Sequence, residues 1–399
     1  MKTKILVLSV LAAILAFTAC QKWEEVEKPE ILEGTLVIDS VVSHLTMPGS
    51  EEVRYMLVYL PPNYDTTKRY PVIYLLHGYG GNHMTLQAVE DVKSIADYLI
   101  STGAMPEAII VTPDASNDLG GSFYTNSMYN SIPVFGLFEN YIIYEVIPHI
   151  DSTYSTIASQ EGRAIVGISM GGYGAAKLGI KHSDMFKAIG IHSGPVSFER
   201  FLDPIPDFGG NLIDIILAEN GGELHYPDVL QRLGPDYPFT TMLFAQAAAF
   251  TPKLDMFENF DTLNCEFPLA SVTGDTCGPG MLCVGVRLPF DYQGNTNDLL
   301  DVWLTEHNPR WLLDQYADQL SANGVAFYVD CGAQDELFLT SHAQDFAEGL
   351  EQHGLTYESE IFADAPGYPA DEFPPLHSTH FQLRLKNSLI FVGQYLATQ

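Results

Sequence analysis

The sequence predicts a doubly wound α/β fold, a mostly parallel sheet carrying one long insertion. Three observations predict it. Strand-like and helix-like segments alternate from residue 71 to the C-terminus, interrupted only at about 195–310. Residues 71–76, Pro-Val-Ile-Tyr-Leu-Leu, are continuously apolar, as a strand buried on both faces of a parallel sheet must be. Between the apolar run Ala164-Ile165-Val166 and a helix-like run from Tyr173 stands Gly167-Ile168-Ser169-Met170-Gly171-Gly172. Small residues flanking a serine at a strand-to-helix junction make a turn tight enough to lift the hydroxyl above the sheet edge.

The elements follow in order. Residues 35–42 and 53–60 read as an opening antiparallel strand pair, and 61–65 as a turn. The strand at 71–76 leads to a helix at about 89–101, then a strand at 108–112 and a long Ser-, Asn- and Gly-rich loop. A helix is expected at about 138–149, the strand before Ser169 at 163–168, and its helix up to about 181. Strands at 187–192, 325–330 and 356–362 complete the sheet. Helices at about 341–353 and 381–397 flank the last of them. The segment 195–310 is rich in Pro, Gly, Phe and Asp and lacks alternation. A structureless loop of that length does not belong in a compact domain. It is expected to be a mostly helical or irregular cap over the carboxyl edge of the sheet.

The N-terminus reads as an address. Lys2 and Lys4 precede the short apolar run Ile5 to Ala16, and Phe17-Thr18-Ala19-Cys20 resembles a bacterial lipobox. Residues 1–19 are thus expected to be a signal peptide, Cys20 the lipidated residue, and 20–33 an acidic tether, with the folded domain at 34–399. The expected location is the outer membrane of a bacterium, at its periplasmic face or the cell surface, with membrane contact through the N-terminal lipid only. The net charge of −31 disfavours nucleic acid as a partner. Four cysteines remain, Cys265, Cys277, Cys283 and Cys331. A disulfide between Cys277 and Cys283 would close a tight loop, and pairings through Cys265 are equally open. No CxxC or neighbouring His pair points to a metal. The oligomeric state is not legible.

A serine nucleophile needs a base, and the base an orienting acid. Asp335 stands just past the strand that ends at Asp330, where a side chain reaches the sheet's carboxyl edge. Asp330 reads as structural, and Glu336 is expected to point elsewhere. Two histidines precede the last helix, His377 and His380. Spacing to the helix favours His380 as the base, with His377 the alternative. His342 and His353 fall on the preceding helix and read as solvated or structural. The oxyanion needs two aligned N–H donors. Met170 supplies one from the start of the helix after Ser169. Tyr79 in His77-Gly78-Tyr79-Gly80-Gly81 is the expected second, with Gly78 the alternative. Asp114, beyond the strand at 108–112, is expected to hold its loop.

These segments resemble a known family. Tyr59-Leu-Pro-Pro-Asn-Tyr-Asp65, Tyr70-Pro-Val-Ile-Tyr-Leu-Leu-His-Gly-Tyr-Gly-Gly81, Val111-Thr-Pro-Asp114 and Gly167 to Gly172 are similar to the esterase D and feruloyl esterase family. The resemblance is strong over about 50–195, moderate over 325–397 and absent over 195–310. It implies an α/β-hydrolase fold, no cofactor, and acyl transfer through a serine ester. One departure touches the base: relatives often carry Trp two residues after the histidine, whereas His380 is followed by Phe381-Gln382. The expected activity is carboxylic ester hydrolysis on a small-molecule or polysaccharide-linked ester, such as feruloyl or acetyl groups on plant polysaccharides. Two alternatives stand beside it: a serine acyltransferase of the same fold, and a non-catalytic glycan-binding surface lipoprotein.

Overall fold

The computed structural model describes residues 29–47, 49–205, 208–226, 228–257, 264–271, 277–278, 280–363 and 374–398. The expected signal peptide, Cys20 and most of the tether lie outside the described residues. The fold is that of the unit Leu32–Gln399.

An eight-stranded sheet forms its centre, in the order β1-β2-β4-β3-β7-β8-β12-β13. β1 (Thr35–Ser43) and β2 (Glu52–Leu60) pair antiparallel, and β2 also runs antiparallel to β4 (Ile109–Pro113). The remaining neighbours are parallel: β3 (Val72–Leu76), β7 (Arg163–Ile168), β8 (Ala188–His192), β12 (Ala326–Gly332) and β13 (Thr356–Phe362). The alternation of side chains along a strand divides the interior in two. Val72, Tyr74 and Leu76 of β3 join one core, and Ile73 and Leu75 join the other on the opposite face. Helices cover both faces, which is why β3 and β7 are buried at every residue.

Local chemistry explains where the elements differ from expectation. The helix expected at about 89–101 is two, α1 (Thr85–Glu90) and α2 (Val92–Ser101). They are broken at Asp91, whose backbone is left-handed (φ 49°) and whose side chain accepts the Ser94 N–H to cap α2. The loop after β4 contains a hairpin, β5 (Asn126–Tyr129) with β6 (Ile132–Leu137). α3 (Phe138–Asn140) continues through a wide π turn into α4 (Ile147–Thr153). α5 (Met170–Lys181) follows the serine, and only Lys181 of its residues is not buried.

The insertion is not merely helical or irregular. It carries α6 (Leu212–Glu219), α7 (Pro238–Phe250) and α8 (Leu299–Glu306), and a second sheet of β9 (Pro252–Phe257), β10 (Glu266–Ser271) and β11 (Met281–Arg287) in the order β10-β11-β9. α7 packs on the β5–β6 hairpin and on β9 and β11, and nine of its residues are buried. A disulfide joins Cys277 to Cys283, while Cys265 and Cys331 remain thiols. α9 (Pro309–Asn323), α10 (Thr340–Gln352) and α11 (Phe381–Tyr395) complete the chain. Among the described residues, no helix is long and apolar enough to cross a membrane.

Candidate active site

Ser169 sits between β7 and α5 with φ 58° and ψ −121°, a strained conformation for a residue with a side chain. The flanking glycines make it possible. A Cβ at Gly171 would collide with the Leu76 carbonyl of β3, and one at Gly167 with the Gly171 carbonyl. The Ser169 N–H donates to the His192 carbonyl at 2.8 Å, which ties the turn to the end of β8. Met170 opens α5, so its N–H has no intrahelical acceptor. No backbone or side-chain acceptor meets it among the described residues.

The loop after β3 stands against the serine, with room of 3.4 Å between a Cβ built on Gly78 and the Ser169 Cβ. His77 organises this loop from a fully buried position. Its Nε2 accepts the Ala115 N–H at 3.0 Å, so the ring proton is on Nδ1, which donates to the Gly78 carbonyl at 2.8 Å. Burial lowers the pKa of this imidazole, which keeps it neutral. The Gly81 N–H donates to the same carbonyl at 3.1 Å. In a trans peptide C=O and N–H point opposite ways. Anchoring Gly78 O therefore fixes the direction of the Tyr79 N–H, which has no protein acceptor among the described residues.

Asp335 and His377 meet: Nδ1 of His377 lies 2.9 Å from Oδ2 of Asp335. Burial raises the Asp335 carboxyl pKa, but the hydrogen bond and charge of His377 and the Cys331 and Leu337 donors outweigh it, and the net shift is downward. With Nδ1 engaged, Nε2 is the nitrogen of His377 left for a serine hydroxyl. Of the two candidate histidines it is His377, not His380, that meets Asp335. His380 occupies the N-terminal cap position of α11 with a left-handed backbone, φ 56°. It lines a different hollow with Glu90, Glu360 and Phe362. The reason lies at the end of β12. The chain at 375–376 crosses directly over Gly332, where a Cβ would strike the Pro375 and Leu376 carbonyls. The Gln334 N–H donates to Pro375 O at 3.0 Å. That crossing brings His377 beside Asp335 and carries His380 away.

A buried polar network lies beneath. Asp330 accepts from Arg384 Nε and Nη2 at 3.0 and 2.6 Å and pairs with His192 Nδ1 at 2.8 Å. Arg384 Nη1 donates to the His377 carbonyl at 2.8 Å, and Nη2 to Ser193 Oγ at 2.7 Å. The Ser193 hydroxyl in turn donates to the same carbonyl at 3.1 Å. Consecutive residues His192 and Ser193 thus hold the backbones of Ser169 and His377. Asp330 is structural, as its position suggests. Glu336 does not point away from the site: its carboxylate accepts the His377 N–H at 2.8 Å. Asp114 accepts from the Ser116 N–H and hydroxyl at 3.0 and 2.6 Å and holds its loop. His342 is buried and its Nδ1 accepts the Ser197 N–H, while His353 pairs with Asp314.

Sequence reasoning missed Arg384, Ser193 and His192. The signal for Arg384 was present: it stands between Phe381, Leu385 and Ser388 on the buried face of α11, where a cation demands a buried partner.

Ser169 opens into an apolar pocket. The core supplies Phe123 and Met170, and the insertion supplies Leu243, Phe290 and Trp303. Among the described residues no cluster of His, Cys, Asp and Glu is fit to hold a metal ion.

The chain is similar to known esterases in sequence and fold. An esterase of Mycobacterium tuberculosis, Rv1288, is 34% identical over 174 residues, 42% of this chain and 35% of that protein. An endo-1,4-beta-xylanase/feruloyl esterase of Xylanibacter ruminicola is 33% identical over 156 residues, 37% of this chain and 20% of that protein. The chain therefore spans only about a third or less of the length of these curated relatives. In fold it is similar to a ferulic acid esterase (TM-score 0.55, 20% identity, 92% of this chain and 100% of that one). It is similar likewise to an S-formylglutathione hydrolase from Agrobacterium tumefaciens (TM-score 0.53, 14% identity, 93% of this chain and 99% of that one). The family model described as "Putative esterase" matches residues 50–380. With its mostly parallel sheet and its serine at the strand-to-helix turn, the chain has an α/β-hydrolase fold and belongs to that esterase family.

Proposed function

We propose that this chain is a carboxylic ester hydrolase working through Ser169, His377 and Asp335. Ser169 Oγ attacks the ester carbonyl. His377 Nε2 takes its proton and returns it to the leaving alcohol. Asp335 holds the imidazole by Nδ1 and stabilises the imidazolium. The N–H groups of Met170 and Tyr79 receive the oxyanion, and water repeats the sequence on the acyl-enzyme. The observation that carries this reading is the 2.9 Å contact between buried Asp335 and half-buried His377, the latter bonded through its backbone to the residue beside the one that anchors Ser169. The test is turnover of short p-nitrophenyl esters, with fluorophosphonate labelling of the wild type but not of Ser169→Ala. A protein inert in both assays ends the proposal.

The proposed substrates are esters on plant polysaccharides, of the feruloyl or acetyl kind. The partial match to a xylanase/feruloyl esterase supports this, as does the apolar pocket at Ser169. Release of ferulate or acetate from arabinoxylan tests it. We propose further that Cys20 carries a lipid that anchors an exported protein. The basic and apolar run before it supports this. Cys20→Ala should move the protein from the membrane to the soluble fraction. Unchanged fractionation contradicts the anchor.

A further inference from the structure

His307 stands where the insertion returns to the core, between α8 and α9. The helix that opens at Met170 holds it at two points. From positions four apart on α5, the Tyr173 hydroxyl donates to the His307 carbonyl at 2.8 Å and Lys177 Nζ donates to His307 Nδ1 at 3.1 Å. Nδ1 is the accepting nitrogen, so Nε2 carries the ring proton. Removal of the ring from water, and after it the charge of Lys177, lowers the pKa of this imidazole and keeps it neutral. Lys177 is itself buried, and it also donates to Thr125 Oγ1 at 2.9 Å.

The His307 ring lies on Phe250, the last residue of α7, with centroids 4.6 Å apart and planes 19° from parallel. Phe250 in turn meets Phe123, Phe198 and Trp303, with centroids 5.8, 5.6 and 5.0 Å away. Those three rings line the pocket beside Ser169, and Phe250 stands behind them. Aromatic contacts tolerate a wide range of offsets and distances, so packing alone does not fix where such a wall stands. A directed hydrogen bond does, and losing it would leave the buried Lys177 short of an acceptor.

We infer that His307 is a positioning residue that fixes the pocket's aromatic wall to the nucleophile helix, by stacking on Phe250 while it accepts from Lys177. This rests on the proposed hydrolase reading and concerns how that site places the apolar portion of its ester. A wall displaced by about 1 Å turns the bound carbonyl away from Ser169 and costs up to about 100-fold in rate. An ester too small to touch the wall is affected least.

The experiment measures kcat/KM on three esters. Vinyl acetate is the small one, vinyl 3-phenylpropionate extends the acyl side, and benzyl acetate extends the alcohol side. His307→Leu should lower the ratio of larger to small ester by about 10- to 100-fold for at least one of the larger two. His307→Asn, which keeps an acceptor for Lys177, should retain more of that ratio. The double variant His307→Leu/Lys177→Met removes the donor together with the acceptor. It should recover the urea midpoint lost in His307→Leu without recovering the ratio. Where His307→Leu does not fold, the double variant alone decides. A wild-type ratio in His307→Leu, or a ratio that returns with stability in the double variant, overturns the inference and leaves the hydrolase intact. If the wild type cleaves none of the three esters and Ser169 does not label with a fluorophosphonate, the hydrolase reading falls and this inference with it.

Discussion

Arg384 donates from Nη1 to the backbone carbonyl of His377 at 2.8 Å, from a side chain with no exposed surface. A cation is buried there because Asp330, equally buried, accepts two of its hydrogen bonds. The pair spans α11 and the end of β12 and fixes the loop that carries the proposed base.

Arg384→Met should therefore act twice. Leaving Asp330 without its cation should cost about 3–5 kcal/mol of stability, read by urea unfolding. With His377 less firmly held, kcat should fall while KM changes little, and Arg384→Lys should restore part of both. A stable variant with wild-type kcat would show that the guanidinium does not position His377.

The two histidines separate cleanly. His377→Ala should lower kcat/KM by about 10,000-fold, the scale of losing the base of a serine triad. His380→Ala should leave kcat/KM within a few-fold of wild type, since that ring lies in another hollow beside Glu90 and Glu360. The reverse pattern on one p-nitrophenyl ester would restore His380 as the base.

His77 tests the oxyanion donors. Through Gly78 O it fixes the direction of the Tyr79 N–H. Replacing it with Phe keeps a buried ring and removes both hydrogen bonds. A misaimed donor should cost up to about 100-fold in kcat with little change in KM. Affinity for a boronate transition-state analogue should fall in proportion. Full kcat with weakened substrate binding would contradict a role in transition-state stabilisation.

Lys177 gives a pH signature. On α5 it is fully buried, 2.9 Å from Thr125 Oγ1 and 3.1 Å from His307 Nδ1. Burial pulls its pKa down to about 7, with the Glu139 carboxylate pulling the other way. Between pH 7 and the ordinary lysine range the unfolded chain holds a proton that the folded one has released, so stability from this group rises with pH. Thermal unfolding of wild type and Lys177→Met should diverge in favour of wild type from pH 7 to pH 10. A gap that is constant across that range would mean that Lys177 stays charged in the fold.

The sheet, the turn at Ser169, the glycine-rich loop at 77–81 and the place of Asp335 at the sheet's edge were legible because each depends on local sequence. A continuous apolar run forces a doubly covered strand. Glycines at 167 and 171 mark where only hydrogen fits. An acid one turn past a strand end stands at the sheet's carboxyl edge. The broken helix at Asp91 was not legible, because a single left-handed residue decides it. The disulfide partner was decided by the fold, which brings Cys277 to Cys283.

What the sequence alone determined is the α/β class and a short roster of candidate side chains for the site. Tertiary structure decided which of them meet. His377 and His380 are three residues apart, and spacing to the helix favoured the wrong neighbour for Asp335. Only the crossing of 375–376 over Gly332 selects between them, and that is a contact between segments more than forty residues apart in the chain. The pocket is likewise a product of assembly. The insertion showed no periodic pattern. Its apolar side chains became a pocket wall because α7 and α8 bury them against the core beside Ser169.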